Sequence, residues 1–72
     1  MKYFAVLHAP AGIFAEGVHD TEENAIATAF ADSATLRTIH PRQIALCMYH
    51  HYENGNVLSY ACTLEQYRDS TS

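Results

Sequence analysis

The stretch from Gln43 to Tyr67 constrains this chain more than any other, because two strand-like runs, QIALCMYHHYE and NVLSYACTLEQY, meet at Asn54-Gly55. Asn-Gly between such runs is the strongest short-range hairpin signal, since a two-residue type I′ turn needs positive φ at both central positions. With Asn54 and Gly55 as the turn, Glu53 faces Asn56, Tyr52 faces Val57, and the two faces follow by alternation. One face presents Ile44, Leu46, Met48, His50 and Tyr52 with Val57, Ser59, Ala61 and Thr63. The other presents Ala45, Cys47, Tyr49 and His51 with Leu58, Tyr60, Cys62 and Leu64. Both are largely apolar, whereas an antiparallel sheet with one wet face alternates apolar with polar residues.

The first third of the chain supplies another hairpin. KYFAVLH, residues 2–8, is aromatic and branched, Ala9-Pro10-Ala11-Gly12 is a turn, and a second strand is expected from Ile13 to His19. Asp20, with Glu23 three residues on, fits an N-cap and capping box. From there Ala25, Ile26, Ala29, Phe30, Ser33 and Leu36 recur on one side at helical spacing, and Pro41 predicts a stop between Arg37 and Ile39. The expected fold is α+β: a ββαββ antiparallel sheet with one amphipathic helix packed on one face, residues 1–67 forming a single domain and 68–72 a frayed C-terminal tail. The helix is expected on the Ile44, Leu46 and Met48 side, where Ser59 and Ala61 leave room. The tyrosine-bearing side then stays open.

Composition narrows the function classes. A chain of 72 residues with 49% hydrophobic and 17% charged side chains is not disordered, and at this length it holds one core. Single cores of this size supply little stability, so such domains commonly add a disulfide, a metal or a partner subunit. Four basic residues against eight acidic ones give a net charge of −4, which leaves no cationic surface for phosphates, so direct nucleic-acid binding is not expected. The one local concentration of charge is Glu16, Asp20, Glu22 and Glu23, which reads either as an acidic contact surface or as an ordinary solvated helix start. His8, Pro10 and Gly12 interrupt the apolar N-terminus, so neither a membrane span nor a signal peptide is expected, and the protein is placed in the cytoplasm.

The reactive residue types suggest little chemistry. In the register above Cys47 and Cys62 face each other in a hydrogen-bonded pair, where side chains diverge more than a disulfide prefers, so free thiols are expected. His8, His19, His40, His50 and His51 lack zinc spacing, and His50 and His51 point to opposite faces of one strand. A zinc site built on both cysteines and first-hairpin histidines is conceivable but unsupported by any C-x-x-C or H-x-x-x-H spacing. The chain is expected to be no enzyme and to need no cofactor. Tyr49 and Tyr60, expected to face each other among leucines and cysteines, are the candidate anchors of a protein interface, with His51 and Leu58 beside them.

The order of strand KYFAVLHA, second strand, capped helix and the hairpin ending NVLSYACTLEQYRD resembles small phage-encoded anti-defence proteins, in particular ββαββ anti-CRISPR inhibitors. The likeness is architectural and covers most of the chain, with no diagnostic motif. It implies a short, non-enzymatic protein in the host cytoplasm that binds a bacterial target such as a CRISPR effector subunit. Some members touch nucleic acid through lysines; this chain has only Lys2, so a protein-surface contact through aromatic and acidic residues is the mode it implies here. The expected function is therefore a protein-binding inhibitor or adaptor, able to form a homodimer. The alternative classes are a homodimeric small-ligand or metal-binding module, and an enzyme using Cys47 or Cys62.

Overall fold

A computed structural model describes residues 1–71 and shows an α+β fold. Its four-stranded antiparallel sheet comprises β1 (Lys2–Ala9), β2 (Gly12–Ala15), β3 (Ala45–Tyr52) and β4 (Gly55–Thr63). They are ordered β2-β1-β3-β4, so β1 and β3 are central while β2 and β4 form the edges. Two helices, α1 (Glu22–Ala31) and α2 (Leu64–Thr71), complete the architecture, and two 3₁₀ turns, Ala34–Thr38 and Pro41–Gln43, lead from α1 into β3.

Register places the core on one face. Leu7 pairs with Leu46 and Ala5 with Met48, all four are buried, and Ala25, Ile26 and Ala29 of α1 close over them. Leu36, Ile44 and Leu64 complete the cluster at essentially zero exposure. Each such leucine or isoleucine contributes about 2 kcal/mol on leaving water. The small alanines of α1 let its backbone approach the sheet, as the helical spacing predicts. The thinnest dimension of the molecule, 16 Å, accommodates one sheet and one helical layer.

Local chemistry moves several boundaries from their expected places. Thr21, not Asp20, caps α1: its extended backbone turns its hydroxyl to accept from the Asn24 N–H at 3.1 Å. Asp20 instead pairs with Lys2 at the start of β1. The helix ends at Ala31, because Ser33 turns extended and its hydroxyl accepts the Thr35 N–H at 3.2 Å, opening the tight turn that buries Leu36. Pro41 begins the next 3₁₀ turn, where a missing N–H costs nothing. The second strand is shorter than expected: β2 stops at Ala15, and His19 returns as an isolated bridge that exchanges two backbone hydrogen bonds with Tyr3 at 2.8 Å.

The expected frayed tail is instead helical through Thr71, and Ser72 lies outside the described residues. Thr63 and Gln66 form a reciprocal capping box. The Gln66 N–H donates to the Thr63 hydroxyl at 3.0 Å, and the Thr63 N–H donates to the Gln66 side-chain oxygen at 2.9 Å. Leu64 is the buried anchor of this helix, and its N–H donates to the Ile44 carbonyl at 2.8 Å.

A candidate protein-binding face

The β3–β4 hairpin turns one step earlier than Asn-Gly suggests. Tyr52 pairs with Gly55, so Glu53 and Asn54 are the turn residues, and of this hairpin's Glu53, Asn54 and Gly55 only Gly55 adopts positive φ, at 136°. His51 then pairs with Asn56, His50 with Val57 and Tyr49 with Leu58. Between Met48 and Tyr49 the register shifts, because β4 carries one extra residue, Ser59, before Tyr60 pairs with Met48. This bulge turns the distal half of β4 over. Tyr60 and Cys62 lie on the core face, whereas Ala61 and Thr63 join Cys47 and Ala45 on the other.

The expected pairing of Tyr49 with Tyr60 is therefore corrected. Tyr60 crosses to the helical side and donates from its hydroxyl to Glu22 Oε2 at 3.0 Å, tying edge strand β4 to the first turn of α1. Partial burial, with the nearby Glu22 carboxylate, pushes the Tyr60 phenol well above its ordinary value. Tyr67 is raised for the same reasons, burial first and then the charges of Glu22 and Glu23. Tyr60, Tyr67 and Glu22 line a shallow groove of about 570 Å³ with Cys62, Gln66, Ser70 and Thr71.

The cysteines are free, as expected, but for another reason than the one inferred from sequence. Cys47 pairs with Ala61, and Cys62 with Leu46, so the two thiols project from opposite faces of the sheet. A zinc site using both is excluded by that geometry. Burial raises the Cys62 thiol, with the Cys47 charge a smaller cause, which makes it a poorer nucleophile at neutral pH. The histidines disperse: His50 packs edge-on to Tyr3 at 5.5 Å, His51 contacts the Asn56 side chain at 2.9 Å, and His40 lies 3.7 Å from Glu65. Among the described residues no group of three or more His, Cys, Asp or Glu is placed to hold a metal ion.

What remains on the far side of the sheet is a continuous apolar surface. Phe4 pairs with Tyr49 and Tyr49 with Leu58, while Val6 pairs with Cys47 and Cys47 with Ala61. The Phe4 and Tyr49 rings meet at 6.3 Å. Leu58 is 53% exposed and Ile13, paired with His8 on the same face, 68% exposed. Both helices and the Leu36 turn pack on the opposite face.

Of the candidate interface residues, Tyr49, Leu58 and His51 come together on this open face, His51 at its rim. Tyr60 does not. The acidic residues form no single surface: Asp20 is held by Lys2, whose bond and charge lower its pKa, and Glu22 is held by Tyr60. Glu23 is exposed in the first turn of α1, and Glu16 belongs to the loop after β2, where its carbonyl meets His19 Nε2 at 2.7 Å. Phe4 and Val6 belong to the open face but were missed, because their side of the first hairpin follows only from the β1–β3 register. No helix among the described residues is long and apolar enough to cross a membrane. No protein-family model, curated protein or solved structure matches the chain.

Proposed function

We propose that this chain is a protein-binding inhibitor or adaptor that engages a bacterial target protein through the open face of its sheet. The observation that carries this reading is the uncovered apolar face centred on Phe4, Tyr49 and Leu58. Contiguous apolar surface of this kind is unfavourable in water, and occlusion by a partner removes that penalty. Tyr49 suits the centre of such a contact, since a tyrosine contributes large area, few rotatable bonds and a polar tip. Polar groups are confined to the margins, at Lys2, His8 and His51, so the matching target surface is apolar at its centre and polar around it. The architectural resemblance to anti-CRISPR inhibitors supports inhibition over scaffolding, with a subunit of a bacterial effector complex as the class of target.

The test is affinity capture from a bacterial host, followed by titration of the purified target against parent and variant chains. Tyr49→Asp and Leu58→Asp are expected to weaken binding at least tenfold while leaving the thermal unfolding midpoint within a few degrees. Target binding that survives both substitutions at full strength overturns the proposal.

A further inference from the structure

We propose that two copies of this chain join edge to edge through β4, antiparallel about a two-fold axis, to make one continuous sheet. The inference concerns the edge of the sheet and does not depend on what covers its open face.

The two edges of the sheet differ in ways that matter for self-association. An edge strand presents unpaired N–H and C=O groups, and proteins that stay monomeric blunt such edges with short strands, charges, proline, bulges or a covering element. β2 is blunted: it runs only from Gly12 to Ala15, Pro10 precedes it, and Glu16 follows it. β4 runs from Gly55 to Thr63, and its sequence, GNVLSYACT, contains no proline and no charged residue. The run Gly55–Ser59 is exposed throughout, with Val57 58% and Leu58 53% accessible. The bulge at Ser59 adds twist but leaves the regular runs Gly55–Leu58 and Tyr60–Thr63 on either side of it.

A second copy is the occupant these features fit. Antiparallel self-pairing lays β4 beside its own reverse, and a strand without charge meets no like-charge repulsion anywhere along it. A two-fold contact uses the long edge of both copies at once, which leaves only the short β2 edges outside, so assembly closes at the dimer. It also supplies what a domain this thin commonly uses besides a disulfide, and the two cysteines, on opposite sheet faces, cannot form one within the chain. The open faces of the two copies then lie side by side.

Sedimentation of the full chain over a wide concentration range, with amide hydrogen exchange resolved by residue, tests the proposal. The expected mass rises from 8.0 kDa toward twice that value. In the dimer the β4 amides directed away from β3 gain protection, while those on the free edge of β2 do not. Val57→Lys combined with Ser59→Lys, both at exposed positions, is expected to return the mass to that of one chain without loss of the circular dichroism of the fold, whereas Tyr49→Asp is expected to leave the dimer intact. A single-chain mass at every concentration overturns the inference. So does a dimer whose β4 amides exchange as fast as in the monomer, or one that Tyr49→Asp dissolves and the lysine pair does not. Loss of target binding by Tyr49→Asp with the dimer preserved separates this inference from the proposed function.

Discussion

Within β3, neighbouring residues meet opposite fates. Leu46 and Met48 are fully buried beneath the helical layer, while Cys47 and Tyr49, equally apolar, lie on a face that no helix covers. The difference does not lie in hydrophobicity. It lies in supply: both helices and the Leu36 turn are spent on one side of a molecule 16 Å thick. An apolar strand is thus no guide to which of its sides forms a core.

Substitutions on either side of the sheet measure that contrast. The largest effect belongs to the sealed face: Leu46→Ala is expected to destabilise by about 2 to 5 kcal/mol. In a domain of this size that is enough to unfold most of the population at room temperature, as urea titration followed by circular dichroism will show. Leu46→Ala tolerated with a small shift would mean that the helical layer does not seal this side. Next comes the helix that closes the core at Leu64. Thr63→Ala removes half of the capping box and is expected to cost about 1 kcal/mol, read as a lower urea midpoint.

The Tyr60–Glu22 bond sharpens the comparison from the edge of the sheet. Tyr60→Phe is expected to cost somewhat less, about 0.5 to 1 kcal/mol, because solvent reaches both partners. The same variant carries a pH signature. The folded Tyr60 phenol ionises later than an unfolded tyrosine, whose value is about 10. Its contribution is therefore complete below about pH 10 and is lost as pH rises toward the folded value. The parent should lose stability above that pH, and Tyr60→Phe should lose less; equal alkaline slopes would show that the phenol is not held as described. The smallest effects belong to the open face. Leu58→Ala should change stability by less than about 0.5 kcal/mol, and a larger loss would mean that this side is packed after all.

The ββαββ order and the amphipathic side of α1 were legible from residue periodicity. The helix does cover the Leu46 and Met48 side of β3, but not because Ser59 and Ala61 leave room there, since Ser59 is the bulge and Ala61 pairs with Cys47 on the open face. The C-terminal helix was also legible: Thr63-Leu64-Glu65-Gln66 is a capping-box pattern, hidden because the run before it reads so strongly as strand. The hairpin register was not. Asn54-Gly55 signals a turn, but Gly55 satisfies its positive φ by starting β4, and the bulge at Ser59 has no signature among NVLSYACT. The earlier turn shifts the pairing by two residues and keeps the faces, whereas the one-residue bulge inverts them, so Tyr60, assigned to an exposed pair with Tyr49, lies against α1 instead.

Periodicity and turn chemistry by themselves determined the four strands and α1, since they depend on neighbours a few residues apart. They also determined that one helix over residues 20–39 could not cover two apolar faces. Only the tertiary structure decided strand order, the bulge, and so which tyrosine lies on the open face. Strand order depends on pairing between segments more than thirty residues apart, as in Phe4 with Tyr49, and the bulge within the β3–β4 hairpin goes with the contact of Tyr60 and distant Glu22, where small differences in packing and hydrogen bonding select one register over its neighbours.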